Sequence, residues 1–192
     1  MPTDTRQRLT EAATARFYRD GFRNVGLDQV IADVGISKTA FSKDFQGKDD
    51  LIMAVLEQKN LWLQQTFRDM IQAQGGTTAA GQLRSLFNVV EQIINSEEFH
   101  GCIFVNASME FPLPHDPAHE AAAQHKHAIE AIVAELAARA GAANPSALAS
   151  ELCLIMEGAY VTHQVTGDRQ AASIARRIAD LVLSAHLPHS QA

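Results

Sequence analysis

Two cysteines, Cys102 and Cys153, are all that the 192 residues contain. No disulfide framework can organise such a chain, and this usage fits a reducing compartment. No apolar run approaches the roughly 20 residues that a membrane span requires. The opening Met-Pro-Thr-Asp-Thr-Arg has no charged stretch leading into an apolar one. No secretory leader and no membrane partner are therefore expected, and a cytoplasmic location is. Alternating runs rich in Val, Ile, Thr and Tyr are scarce, which leaves an all-α fold as the expectation. Internal repeats and low-complexity linkers are missing. So are a Ser-His-Asp order, a glycine-rich phosphate loop and a Cys-x-x-Cys pair, so neither an enzyme nor a cofactor is expected.

Net positive charge is missing too: the formal charge is −6. Its distribution is uneven. Residues 1–51 hold eight Arg/Lys and eight Asp/Glu, whereas the remainder holds eight basic and fourteen acidic residues. A neutral first quarter with its lysines gathered on one helix can still neutralise phosphates, although long-range steering is weak.

What is present is concentrated between Phe22 and Leu51. Leu27, Val30, Ile31 and Val34 recur at helical spacing. Gly35 follows them where a left-handed residue ends a helix. Ile36 and Ser37 then read as a staple residue and an N-cap. Ala40, Phe41 and Phe45 form the inner stripe of the next helix, leaving Lys38, Thr39, Ser42 and Lys43 on its outer side. This is the pattern of a helix-turn-helix. Small and basic residues at the start of its second helix suit base edges and phosphates.

Periodicity and breakers predict about nine helices: 5–20, the two just described, one opening at Gly47-Lys48-Asp49-Asp50 and broken at Gln74-Gly75-Gly76, then 79–96, 102–111, 118–140, 146–165 and 169–186. Pro112, Pro114 and Pro117 require a loop between the sixth and seventh.

Taken with its spacing, the N-terminal pattern resembles the TetR/AcrR family of bacterial transcriptional regulators. The residues that carry the resemblance are Ala12-Ala13, Phe17, Gly21-Phe22, Leu27, Val30, Gly35-Ile36-Ser37-Lys38, Phe41, Phe45, Lys48 and Leu51, about the first quarter of the chain. The resemblance implies a helix-turn-helix head at 1–48 and a ligand-sensing, dimerising helical bundle at 49–192. It also implies a homodimer, a double-stranded DNA operator and a small-molecule effector that releases a repressor from DNA. Matched to the motif, Lys38, Thr39 and Ala40 would meet bases, and Ser42, Lys43 and Lys48 phosphates. Ser42, Asp44, Val25 and Gly26 depart from what the family often carries, a tyrosine, a histidine, and a Thr-Ser pair. Asp44 would repel the DNA backbone unless it pairs with Lys43 or Lys48.

Further sites are weaker. Trp62, Phe67, Met70, Phe87, Phe104 and Met109 are candidates to line an apolar effector pocket, with Asn106 and Glu110, one turn apart, orienting a polar group. Leu152, Ile155, Met156 and Ala159, with Ile174, Ile178, Leu181 and Val182, have the spacings of a four-helix dimer interface. Cys102, after a glycine at a helix start, is a candidate redox thiol, and Cys153 reads as core. His115 and His119 stand four apart with Glu120 adjacent, which leaves a helical metal protein or enzyme as an alternative. Pro117 between them leaves that geometry unsecured, and no metal ligand is assigned. His125 and His127 read as part of a solvated histidine-rich surface.

Overall fold

The computed structural model describes residues 4–188. Among these the chain forms nine helices and no strand: α1 (Thr5–Asp20), α2 (Leu27–Val34), α3 (Lys38–Asp44), α4 (Lys48–Gly75), α5 (Ala79–Ile94), α6 (Ile103–Glu110), α7 (Pro117–Arg139), α8 (Pro145–Thr166) and α9 (Ala171–His186). The expected all-α architecture is observed, and each boundary lies within about two residues of the breaker that signals it.

Local chemistry sets the ends of the first helices. The Asp4 side chain accepts from the Arg6 N–H at the start of α1. The Gly26 N–H donates to Gln29 Oε1 at 2.7 Å, which anchors the first turn of α2. Gly35 closes α2 at φ 70°, in the left-handed region, and its N–H donates to the Ile31 and Ala32 carbonyls. Ser37 then caps α3 by accepting from the Ala40 N–H at 3.1 Å. The turn of the helix-turn-helix is therefore built from a glycine that tolerates positive φ and a serine that satisfies an otherwise orphaned donor.

By packing, the chain falls into two compact units that do not divide at residue 48. One comprises residues 1–62 and 102–125; the other comprises 63–101 and 126–192. Helices α4 and α7 contribute residues to both, and α6 packs with the N-terminal helices.

In the first unit, Leu9, Ala13 and Phe17 of α1 are buried with Phe22, Val30, Phe41, Phe45, Leu51 and Val55. The Phe41 and Phe45 rings stack at 5.6 Å between centroids. In the second unit, α5 supplies Leu83, Leu86, Phe87 and Val90 to a core shared with Ile132 and Val133 of α7, Leu148 and Leu152 of α8, and Ala172 and Ala179 of α9.

His125 corrects the expectation of a solvated histidine surface. It is buried, its ring stacks on Phe104 at 3.8 Å between centroids, and its Nδ1 lies 2.8 Å from Asn60 Oδ1. The signal was in the spacing. Ala118, Ala122, His125, Ile129 and Ile132 step by four and three along α7, and all are buried.

Candidate nucleic-acid interface

Helix α3 turns one side inward and the other to solvent. Phe41 is 3% exposed, while Lys38, Thr39, Ser42 and Lys43 are exposed and Ala40 is half-buried. Ser42 Oγ donates back to the Lys38 carbonyl at 3.0 Å. A short hydroxyl held this way presents less reach than a tyrosine would at the same place. Lys38 Nζ stands 2.9 Å from Asp28 Oδ1, both side chains about three-quarters exposed. An exposed pair of this kind contributes little to stability, so its lysine exchanges readily for a stronger anion.

The arginines of α1 serve the head itself. Arg6 donates to the Asp44 carbonyl and lies over the Phe45 ring, 4.3 Å from its centroid. Arg8 donates to the Val34 carbonyl at 2.7 Å, closing the C-terminal end of α2. Arg16 forms a forked pair with Asp33. Its hydrogen bonds hold the Asp33 carboxyl below the usual carboxylate range, so the tie is present at neutral pH and is lost as acid protonates Asp33. Sequence reasoning counted these arginines as charge; the structure uses them as struts. Among the described residues Asp44 pairs with neither Lys43 nor Lys48, and Lys48 Nζ instead donates to the Arg23 carbonyl at 3.2 Å.

The pocket candidates are divided between the two units. Trp62, Phe104, Asn106, Met109 and Glu110 belong to the first unit, and Phe67, Met70 and Phe87 to the second. Phe67 and Phe87 are buried in the second unit's core, with Met70 packed against it. Met109 is 76% exposed, and Trp62 lies beneath the Lys59 ammonium at 4.4 Å. Glu110 is already engaged: its Oε1 accepts from the Phe22 N–H at 2.9 Å and its Oε2 from the Arg23 N–H at 2.7 Å.

On α8 the dimer expectation chose the wrong side. Leu152, Met156 and Ala159 are buried in the core of their own chain, with Ile155 and Val182 packed against it. The outward apolar stripe of α8 is instead Leu154 (75% exposed), Val161 and Val165. On α9, Ile174, Ile178 and Leu181 are exposed. The α8 residues were legible as positions 154, 161 and 165 at helical spacing, but α8 is apolar on several sides and the pattern does not say which side is covered.

Cys153 is buried, and burial pushes its thiol up to about 12. Cys102 is half-buried at the residue preceding α6. Timed alkylation with iodoacetamide at pH 8 should therefore modify Cys102 well before Cys153; equal rates would show that the core around Cys153 opens. His119 Nδ1 lies 2.9 Å from the Phe111 carbonyl, and His115 sits exposed in the turn before α7. Among the described residues no three His, Cys, Asp or Glu side chains come together as a metal site. No helix among them is long and apolar enough to cross a membrane.

A short helix presented outward after a glycine turn, on a head of three helices, with a helical bundle beyond, defines a helix-turn-helix DNA-binding protein. Residues 9–55 match the bacterial regulatory proteins of the tetR family, and residues 79–179 match the tetracyclin repressor-like C-terminal domain. The chain belongs to the TetR family, and it is a DNA-binding transcriptional regulator rather than an enzyme. A TetR-family transcriptional regulator from Streptomyces coelicolor superposes with a TM-score of 0.83 at 30% identity, covering 94% of this chain and 95% of that one. The reduced form of NemR from Escherichia coli shares the fold, with a TM-score of 0.80 at 19% identity over 93% of this chain and 97% of its own. In sequence, the HTH-type transcriptional regulator YjdC of Escherichia coli K12 is 23% identical over 167 residues, 85% of each chain.

Proposed function

We propose that the chain works as a homodimeric cytoplasmic repressor that a small-molecule effector releases from its operator. In role, residues 1–48 read DNA, and residues 49–192 dimerise and sense the effector. The observation that carries the reading is the exposure of Lys38, Thr39, Ser42 and Lys43 on the side of α3 opposite the buried Phe41. That side offers charge and hydrogen-bond donors at the size of a major-groove probe. Lys38, Thr39 and Ala40 are assigned to base edges, and Ser42, Lys43 and Lys48 to phosphates. Release follows if the effector prefers a dimer whose heads are mis-spaced for two half-sites. A coupling of about 1–3 kcal/mol changes operator affinity by roughly 5- to 150-fold.

Phe67, Met70 and Phe87 are assigned to the effector site; all three join the apolar core of the second unit. A second reading, thiol sensing through Cys102, is favoured by the partial exposure of that residue. Oxidant should then lower duplex affinity in the parent chain but not in Cys102→Ser.

The test is a mobility shift with the region upstream of the chain's own gene, followed by a metabolite screen for release. Lys38→Ala should weaken retention and reduce the slope of log affinity against log salt by about one. Unchanged retention would remove Lys38 from the interface, and no shift by the parent chain on upstream DNA would count against autoregulation.

A further inference from the structure

Arg23 is held from three sides. Its N–H donates to Glu110 Oε2 at 2.7 Å, its carbonyl accepts from Lys48 Nζ at 3.2 Å, and its guanidinium lies over the Phe111 ring, 5.3 Å from the centroid. The neighbouring Phe22 N–H donates to the other oxygen of the same carboxylate at 2.9 Å. Glu110 thus spans two successive main-chain donors, a forked arrangement that fixes both the position and the tilt of the peptide between them. Gly21 makes room for it: a Cβ there would lie 3.1 Å from Glu110 Oε1, and the residue sits at φ 87°. All of these residues belong to one compact unit.

We propose that Glu110, at the end of α6, is a positioning residue for the DNA interface, acting through the Arg23 main chain on the ammonium of Lys48. An ammonium has three donors. One is spent on the Arg23 carbonyl, and the others are left to point at a phosphate from a fixed base. Without the carboxylate, the α1–α2 turn loses two charge-assisted hydrogen bonds, and Lys48 loses a fixed acceptor. The stem of a free lysine carries considerable rotamer entropy, which a phosphate contact must then overcome. The proposal removes Glu110 from the effector-orienting role, since both its oxygens are engaged. It rests on the assignment of Lys48 to a phosphate.

The experiment is a double-mutant cycle on a labelled duplex carrying the upstream region, with Glu110→Ala, Lys48→Ala and the pair. Glu110→Ala should weaken binding about three- to tenfold and lower the salt slope by about one, as Lys48→Ala does. In the Lys48→Ala background the same change should cost less than about twofold. Glu110→Gln, which keeps the shape and one acceptor, should fall between the parent and Glu110→Ala. Unchanged affinity in Glu110→Ala, or an equal loss with and without Lys48, overturns the proposal. If the parent chain itself does not bind this duplex, it is autoregulation that fails. The clasp is then judged by amide exchange at Phe22 and Arg23, where exchange unaltered by Glu110→Ala overturns it.

Discussion

Replacing Ile178 and Leu181 together by aspartate will yield a monomer that no longer holds operator DNA. Leu181 is 75% and Ile178 47% exposed, and Ile174 extends the same stripe along α9. Beside it in sequence order, α8 carries Leu154 at 75%, Val161 at 42% and Val165 at 77% exposure. Helices α8 and α9 pack on one another within the second unit, so the pair leaves two apolar stripes uncovered in a single copy. Large exposed apolar surface of this kind marks an interaction site. A second copy is the occupant that the family favours.

Covering one such side chain contributes about 1.5–3 kcal/mol before association costs. Two aspartates would have to bury uncompensated charge, at several kcal/mol each. The outcome is measurable by sedimentation or light scattering, where the variant should fall to the 20.9 kDa of one chain. A lone head should then lose the linked second half-site, about 10²- to 10⁴-fold in affinity. A variant that remains dimeric would move the interface off α9 altogether.

Replacing Phe22 by alanine will cost about 3–5 kcal/mol of stability. Phe22 has no exposed surface, its ring centroid lies 5.2 Å from that of Phe17, and Phe111 meets it edge-on at 6.1 Å. The substitution empties the centre of a three-ring contact among α1, the α1–α2 turn and the end of α6. Aromatic pairs of this geometry add to simple area burial, so the upper half of the range is expected. For a chain of this length the melting temperature should drop by roughly 6–20 °C. Phe22→Leu keeps most of the volume and should cost distinctly less. A shift of under about 2 °C in Phe22→Ala would mean that neighbouring rings collapse into the space.

Much of the fold could be read residue by residue. Gly35 and Ser37 announced the turn because each has a local task, a positive φ and a cap, that needs no distant partner. The outward set Lys38, Thr39, Ser42 and Lys43 followed from where Phe41 must go. Arg16 was different. It entered the sequence reading as charge, and its pairing with Asp33 depends on how α1 crosses α2, which no spacing within α1 encodes. Glu110 was the clearest miss. A glutamate at a helix end looks solvated from its own neighbours, and its partners lie 87 and 88 residues away in sequence.

Helix number, helix ends and family membership were thus determined locally, by periodicity, capping and breakers acting within a few residues. Tertiary structure decided which stripe of α8 faces its own core, that His125 is inside, and that the carboxylate of α6 grips the α1–α2 turn. Each of these depends on long-range contacts whose identity the one-dimensional pattern leaves degenerate: an apolar stripe requires a cover and a charge requires a partner, but neither names which one.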